Sequence, residues 1–342
     1  MAKTLSQVLT EQRQAQDARE APAVDRIVGI YERMQRDIEA RIVQLDALIA
    51  DALRTGGPVD PDWLHHQARY RVLLSDIQQI TGLYATEGNR AIRDARYAEI
   101  IAGRADAVAR MGARGPVSTT VFGSNYQATE SLLAALHRDS PVHDVLASFG
   151  DEYAAIIERE LINGVATGQS AANIRRAMWE RAGGEIFSEQ RLMTIIRTES
   201  MRAYKASLVE QYEQVPELEA FEWTCHRSTR TCAACLAMDG QRFATRDEIP
   251  GSHPNCRCTI SPVPQDEYQS VRDYFRRRGD TDEWLRRQRP ATIRKILPSQ
   301  EAYDAFMAGD VSIKDFAGRQ NHPRYGVQVV QRSGRQVLAG RP

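Results

Sequence analysis

All five cysteines of this chain fall between residues 225 and 258, and no other feature of the sequence restricts the fold as tightly. Thiols needed only for packing would be spread through the cores. Cys232-x-x-Cys235 is followed, after seventeen residues, by His253-x-x-Cys256-x-Cys258. Zinc takes four nitrogen or sulfur donors at tetrahedral corners, and two short-spaced pairs separated by a loop are a common way for one chain to supply them. Five donors, Cys232, Cys235, His253, Cys256 and Cys258, compete for four places. If the chain is extended from residue 257 onward, Cys256 and Cys258 face opposite sides and only one of them ligates. The spacing predicts one structural zinc, with disulfides or free thiols as the alternatives. Cys225 and His226 lie outside the paired spacing and are expected to be strand residues.

The rest of the chain has ordinary soluble composition, 42% hydrophobic and 26% charged over 342 residues. No stretch approaches the roughly 18 apolar residues of a membrane span, and the first twenty residues are too polar for a signal peptide. The chain is therefore expected in the cytoplasm when made, where clustered cysteines favour metal over disulfide. Its formal net charge of zero argues against strong sequence-independent affinity for DNA by the whole chain. The last 24 residues, 319–342, differ: they hold Arg319, Arg324, Arg332, Arg335 and Arg341 and no acid, and offer a weak contact to nucleic acid or an acidic partner. The alternation in "YGVQVVQRSGRQVLAG" also permits a strand or hairpin there.

Periodicity predicts a mainly α-helical protein with a small β element. Ile27, Tyr31, Met34, Ile38, Ile42, Leu45, Ile49 and Leu53 recur at steps of three and four and mark one long amphipathic helix. It is expected to end at Gly56-Gly57-Pro58, with Asp60-Pro61 starting an antiparallel helix through Trp63, Tyr70, Leu74, Ile77, Ile80 and Tyr84. A third segment near 88–111 is weaker and rich in Arg and Ala. Glycine and proline in 112–124 suggest a linker, and helices resume at about 125–137, 141–166, 170–182 and 188–214. The period then shortens: "AFEWTCH", "QRFAT" and "RCTISPV" read as strands carrying the cysteine cluster. Beyond Pro264 the pattern returns to helix. This gives a flexible N-terminus (1–20), an elongated helical hairpin or bundle (21–112), a linker with a connecting helix (113–144), an α+β module (145–318) with its Cys/His ribbon at 220–264, and a basic tail (319–342).

No zinc-deaminase or zincin motif accompanies the cysteines, because the histidine follows the C-x-x-C and lacks the required glutamate. No catalytic residues are assigned. In "IIRTESMRAYKAS", Arg197 could bind a phosphate or carboxylate, and Glu199 with Arg202 reads as an i,i+3 ion pair on a helix surface.

The order "IIRTESMRAY", "TRTCAACLAMDGQRF", "HPNCRCTISPV", "DEWLRRQ" resembles the phage Mu F-like (MuF) minor head, or head morphogenesis, proteins. The resemblance spans about 145–318, and "RKILPSQEAYDAFMAGDVSIKDFA" is similar to the family's terminal helical segment, with "LPSQ" where Leu-Gly is common. It implies a virion component of a tailed bacteriophage, inside the capsid, associated with the portal protein and serving head assembly, DNA packaging or ejection. Packaged double-stranded DNA, scaffold or major capsid protein are further partners, and the N-terminal helices offer a surface for self-association. Few residues follow the module, which speaks against an added enzyme domain. The alternatives are a metal-assisted hydrolase or nuclease built on the Cys/His cluster with Arg197 and Glu199, and a free-standing zinc-ribbon DNA-binding protein.

Overall fold

The computed structural model describes residues 4–43, 46–55, 67–116, 126–138, 140, 142–185, 188–322 and 326–339. Among the described residues seven helices come first: α1 (Leu5–Ile42), α2 (Asp46–Thr55), α3 (Ala68–Arg114), α4 (Tyr126–Arg138), α5 (Val142–Ala166), α6 (Ala171–Glu185) and α7 (Glu189–Tyr212). A three-stranded antiparallel sheet follows, in the order β2-β1-β3, from β1 (Leu218–Thr224), β2 (Arg242–Phe243) and β3 (Thr259–Pro264), with the short helix α8 (Ala233–Met238) between β1 and β2. Then come α9 (Gln269–Arg278), α10 (Thr281–Arg286), α11 (Pro290–Ile296), α12 (Gln300–Ala308), the hairpin β4 (Ala317–His322) and β5 (Gly326–Gln331), and α13 (Gly334–Ala339). The protein is mainly α-helical with small antiparallel sheets, as the periodicity predicts.

The chain divides into two compact units. One comprises Met1–Arg19, Arg96–Ser140 and Arg197–Pro342; the other comprises Glu20–Ala95 and Pro141–Ile196.

The second of these is helical throughout its described elements, with an apolar core. Ile27, Tyr31, Met34, Ile38 and Ile42 on α1, with Ile49 on α2, are all buried there, and Leu53 is partly buried against them. Burial of each such side chain contributes about 1.5–3 kcal/mol, which is what fixes the stripe inward. Helices α1 and α3 run antiparallel in this unit: Arg26 pairs with Asp94 at 2.8 Å, Arg33 with Glu87 at 3.1 Å, and Tyr84 donates to Asp37 at 2.7 Å. Partners descend along α3 as they ascend along α1. Two glycines permit close helix approach: a Cβ on Gly150 would meet Thr81 Oγ1 at 2.5 Å, and one on Gly164 would meet Ile174 Cγ1 at 2.3 Å. The single helix expected over 27–53 is divided, since α1 ends at Ile42 and α2 restarts with Asp46, an acid placed at the positive end of the helix dipole. Leu45, the Gly56-Gly57-Pro58 and Asp60-Pro61 breaks, and Trp63 lie outside the described residues.

In the other unit, the polar N-terminus is helical from Leu5, where composition alone suggests a flexible end. Leu5 and Val8 are buried, and the polar residues are buried with partners: Gln12 donates to the Asp106 carbonyl at 3.1 Å and accepts from Arg110 at 2.6 Å. The weak Arg- and Ala-rich segment is the C-terminal part of α3, continuous to Arg114. Its inward face mixes arginines with apolar residues: Arg96, Arg104, Arg110 and Arg114 are buried beside Ile100, Ala107 and Met111. Arg104 pairs with Glu210 at 2.9 Å, and Arg114 lies 3.4 Å from Glu222 and 2.5 Å from Glu267. Ala, Arg and Glu are strong helix formers, so α3 continues where its buried apolar positions thin out to Ile100, Ala107 and Met111.

The basic tail folds as the hairpin alternative. β4 and β5 pair from Ala317↔Gln331 to His322↔Gly326, and β5 makes a parallel bridge to Gly251 through Gly251 N–H to the Val327 carbonyl (2.8 Å) and Val329 N–H to the Gly251 carbonyl (2.9 Å). Backbone pairing and burial of Val329 outweigh the mobility expected of a chain end.

Candidate metal centre

The site lies within the unit that holds the sheet. Cys232 is the N-cap of α8, in extended conformation, and its sulfur accepts from the Cys235 N–H at 3.4 Å. A C-x-x-C at a helix start thus places one sulfur at the cap and the other a turn later on the same side. The Asp239-Gly240 turn then returns the chain to the sheet: Gly240 has φ +84°, a conformation suited to glycine, and its N–H bonds the Trp223 carbonyl at 2.8 Å. Asp239 is almost fully buried and receives Arg227 at 2.8 Å, Arg278 at 2.9 Å and the Cys225 N–H at 2.9 Å.

The second half of the site comes from residues 251–258. Gly251 is held by β5, and Gln328 donates to the Ser252 carbonyl at 3.0 Å. His253 Nδ1 lies 2.7 Å from the Pro254 carbonyl, which can only accept, so Nδ1 carries the proton and Nε2 is left for the thiols or a metal. Asn255 turns the chain with φ 62°, the left-handed region that asparagine tolerates better than most residues. Its N–H bonds Thr198 Oγ1 at 3.2 Å, and its side-chain oxygen accepts from Arg197 at 3.2 Å. The R-T of the R-T-E helix therefore clasps the H-P-N turn. Lys205, two turns further along α7, bonds Ser252, lies 3.7 Å from the Cys256 sulfur, and packs over the Trp223 ring at 4.9 Å.

These segments bring His253 Nε2 to 3.2 Å from Cys232 Sγ and 3.1 Å from Cys235 Sγ, with Cys235 Sγ 3.7 Å from Cys256 Sγ. Two overlapping groups, Cys232–Cys235–His253 and Cys235–Cys256–Cys258, each keep their donor atoms within 4.8 Å of one another. A tetrahedral zinc with bonds of about 2.3 Å to sulfur and about 2.0 Å to nitrogen implies donor separations of roughly 3.5–3.8 Å. The three separations above come within a few tenths of an ångström of this, and the two triads, joined at Cys235, could hold a metal ion. All five cysteines are free thiols here.

The thiols are unequal. Cys232 is lowered to about 5, mainly by its hydrogen bond with Cys235, against the effect of burial, with His253 adding to the fall. His253 is raised to about 9: burial opposes its charge, and the hydrogen bond to Cys232 and the neighbouring sulfurs outweigh it. Cys235 is pushed well up by the surrounding thiols, and Cys258 is pushed up by burial. The two shifts run in opposite directions and favour charge on both Cys232 and His253, and a divalent ion would displace protons from the ligating groups.

Two readings of the sequence change at this site. Cys225 belongs with the cluster: its sulfur lies 2.8 Å from Cys258 Sγ and 2.8 Å from the Cys235 carbonyl. The β1–β3 ladder ends with Thr224↔Thr259, so Cys225 and Cys258 are the next facing pair, a relation that becomes visible once the two strands are placed in register. Glu199 and Arg202 do pair, at 3.1 Å, yet Glu199 is 2% exposed and also receives Arg96 and Ser140 (3.1 Å), so it is a buried network node rather than a surface pair. Of the tail arginines, Arg319 and Arg335 are exposed, and Arg332 donates to the Asp315 and Gln336 carbonyls at 3.2 and 2.7 Å. Arg324 and Arg341 lie outside the described residues.

Residues 155–261 match the family of Phage Mu protein F like proteins. The Mu F-like segment contains the R-T-E helix, the C-x-x-C, the D-G turn and the HPNCRC run, and ends before "DEWLRRQ". Its motifs are the residues that interlock here: Arg197 and Thr198 with Asn255, Lys205 with Cys256, Asp239 with Cys225. No curated protein and no solved structure matches the chain. Among the described residues, no helix is long and apolar enough to cross a membrane.

Proposed function

We propose that this protein is a minor head component of a tailed bacteriophage, located inside the capsid, that binds the portal and assists head assembly, DNA packaging or ejection. The observation that carries the reading is the Mu F-like match over 155–261, a segment whose separate motifs converge on one Cys/His cluster. In this reading Cys232, Cys235, His253 and Cys256 hold one zinc, and Cys258 pairs with Cys225. Four protein donors complete a tetrahedral shell and leave no position for an activated water, so the ion serves the fold and the protein acts without chemical turnover. Binding would supply folding free energy to a three-stranded sheet whose β2 has only two residues.

The test is co-assembly with portal and capsid proteins, followed by measurement of the protein content of purified particles. Wild type is expected in particles in few copies, and Cys235→Ala is expected to be absent from them. Exclusion of wild type from particles, together with metal-dependent cleavage of nucleic acid in solution, would overturn the structural reading and favour a hydrolase.

A further inference from the structure

Cys225 and Cys258 are the two thiols that the proposed four-donor zinc shell does not use. Their sulfurs lie 2.8 Å apart, and both side chains are buried. The backbone explains why they meet. Trp223 gives its N–H to the Gln241 carbonyl and its carbonyl to the Gly240 N–H, both at 2.8 Å and both on the β2 side. By the alternation of a strand, Thr224 turns its backbone groups toward β3, where it faces Thr259, and Cys225 turns away again. Accordingly the Cys225 N–H goes to the Asp239 carboxylate at 2.9 Å, and its carbonyl accepts from Arg278. Cys225 and Cys258 are thus a non-hydrogen-bonded cross-strand pair, the closer kind in an antiparallel ladder, with Cα atoms typically about 4.5 Å apart. A disulfide takes Cα separations of about 4.4–6.8 Å, so such a pair can close without moving the strands.

Both sulfurs border open space. Cys225 is on the wall of a cavity of about 330 Å³, and Cys258 is on the wall of a smaller one, of about 180 Å³, shared with Cys232, Cys235, His253 and Cys256. Cys225 is only 2% exposed, which admits a small oxidant and keeps out a protein-sized one. Closing the bond costs the weak hydrogen bond from the Cys225 thiol to the Cys235 carbonyl, and no metal ligand.

We propose that Cys225 and Cys258 are a redox pair: a dithiol while the protein is made in a reducing cytoplasm, and a disulfide joining the end of β1 to the H-P-N-C-R-C segment once the particle meets an oxidising exterior. The setting rests on the virion reading above; the chemistry of the pair does not. The oxidant is hydrogen peroxide. It converts the Cys225 thiol to a sulfenic acid and releases one water. The Cys258 sulfur then attacks the Cys225 sulfur, the S–O bond breaks, and the hydroxyl leaves with the Cys258 proton as a second water. Two thiols lose two electrons and one peroxide gains them. Oxidation of a zinc-bound sulfur would instead break a metal bond, so the pair outside the shell closes at lower cost. The consequence falls on the metal. Cys258 shares a donor group with Cys235 and Cys256, all within 4.8 Å, and as a free thiol it competes with Cys256 for the ion. The bridge ends that competition and fixes Cys232, Cys235, His253 and Cys256 as the ligands.

The experiment uses full-length protein purified with reductant, freed of it and assayed for zinc. It is treated with one equivalent of hydrogen peroxide, alkylated, digested without reduction and read by mass spectrometry. The expected product is a Cys225–Cys258 disulfide, with two thiols lost, zinc content unchanged, the other three cysteines unoxidised, and full reversal by dithiothreitol. Cys225→Ser is expected to form no bridge and to keep its zinc. A first bridge that includes Cys232, Cys235 or Cys256, or a Cys258 that resists peroxide until zinc is removed, would overturn the proposal. A protein without zinc would fail the zinc reading by that assay alone, and the identity of the first bridge would still decide this one. Protein from cells lysed in alkylating reagent is expected as the dithiol, and protein from purified particles as the disulfide. The same state in both would overturn the switch. Absence from particles would count against the virion reading, with the solution result then deciding the chemistry of the pair.

Discussion

Helix α3 is used in two different ways along its length. In the helical unit it buries Tyr70, Leu73, Ile77 and Ile92; in the sheet-bearing unit it buries Arg96, Arg104, Arg110 and Arg114 beside the apolar residues Ile100, Ala107 and Met111. The first half is held by apolar area, which is non-directional and tolerant of small shifts. The second adds directed hydrogen bonds and ion pairs to a smaller apolar area, and these demand a particular partner at each position and are costly when one is removed. The sheet-bearing unit shows the same preference at its centre, where sulfur and imidazole donors converge. One unit is therefore expected to respond to loss of area, the other to loss of a partner or an ion.

The largest expected effect separates the units outright. Cys235→Ala removes the sulfur shared by both donor groups and, if the proposed zinc is bound, a metal-binding free energy on the order of 10 kcal/mol at neutral pH. Thermal unfolding followed by circular dichroism should lose the transition of the sheet-bearing unit and keep that of the helical unit. Loss of both transitions would show that the helical unit depends on the metal as well. The converse change is Ile77→Asp, which places an unpaired charge at a fully buried position and should cost about 3–5 kcal/mol. Metal content should stay at the wild-type value; a fall in zinc would break the comparison from the other side.

The stripe in the helical unit was legible in the sequence because period and burial agree: Ile27, Tyr31, Met34, Ile38 and Ile42 were marked by spacing and are all buried. The arginine face of α3 was not, since arginine on a helix ordinarily signals solvent, and its partners Glu199, Glu210, Glu222 and Glu267 come from segments about 100 or more residues away. The same reason hid the N-terminal helix, whose Gln12 and Gln16 satisfy their amides inside the protein. At the cluster, ligand types and the C-x-x-C/H-x-x-C spacing were legible. The part played by Cys225, and the way Arg197, Thr198 and Lys205 hold the H-P-N-C turn, needed the register of β1 on β3 and the position of α7.

Two smaller effects sharpen the contrast. Arg96→Ala takes from the buried Glu199 its fully buried guanidinium partner, leaving Arg202 and Ser140, and should cost about 3 kcal/mol, whereas replacing the pair together by Met and Leu should cost less. Chemical denaturation of the three proteins measures both; equal losses in the single and double variants would show that packing, and not the lost ion pair, sets the cost. Glu152, in the helical unit, marks the weak end. Burial would raise its pKa, but hydrogen bonds from Arg191 and Ser148 hold it below the ordinary carboxylate value. A lowered folded pKa gives stability that is present above the unfolded pKa and is lost as pH falls through the folded one. Glu152→Gln should therefore cost about 0.5 kcal/mol at neutral pH after solvent screening, with the difference vanishing in acid. Denaturation midpoints at several pH values test the sign.

The central claim is that one metal ion, held by Cys232, Cys235, His253 and Cys256, organises the sheet-bearing unit, while Cys258 turns to Cys225. Native mass spectrometry of the intact protein, purified with reductant, tests it most directly when wild type is set beside Cys256→Ala and Cys258→Ala. The account predicts one zinc per chain in wild type and in Cys258→Ala, and none in Cys256→Ala. A folded, metal-free wild type carrying a Cys232–Cys256 or Cys232–Cys258 disulfide, or loss of zinc in Cys258→Ala with retention in Cys256→Ala, would contradict it.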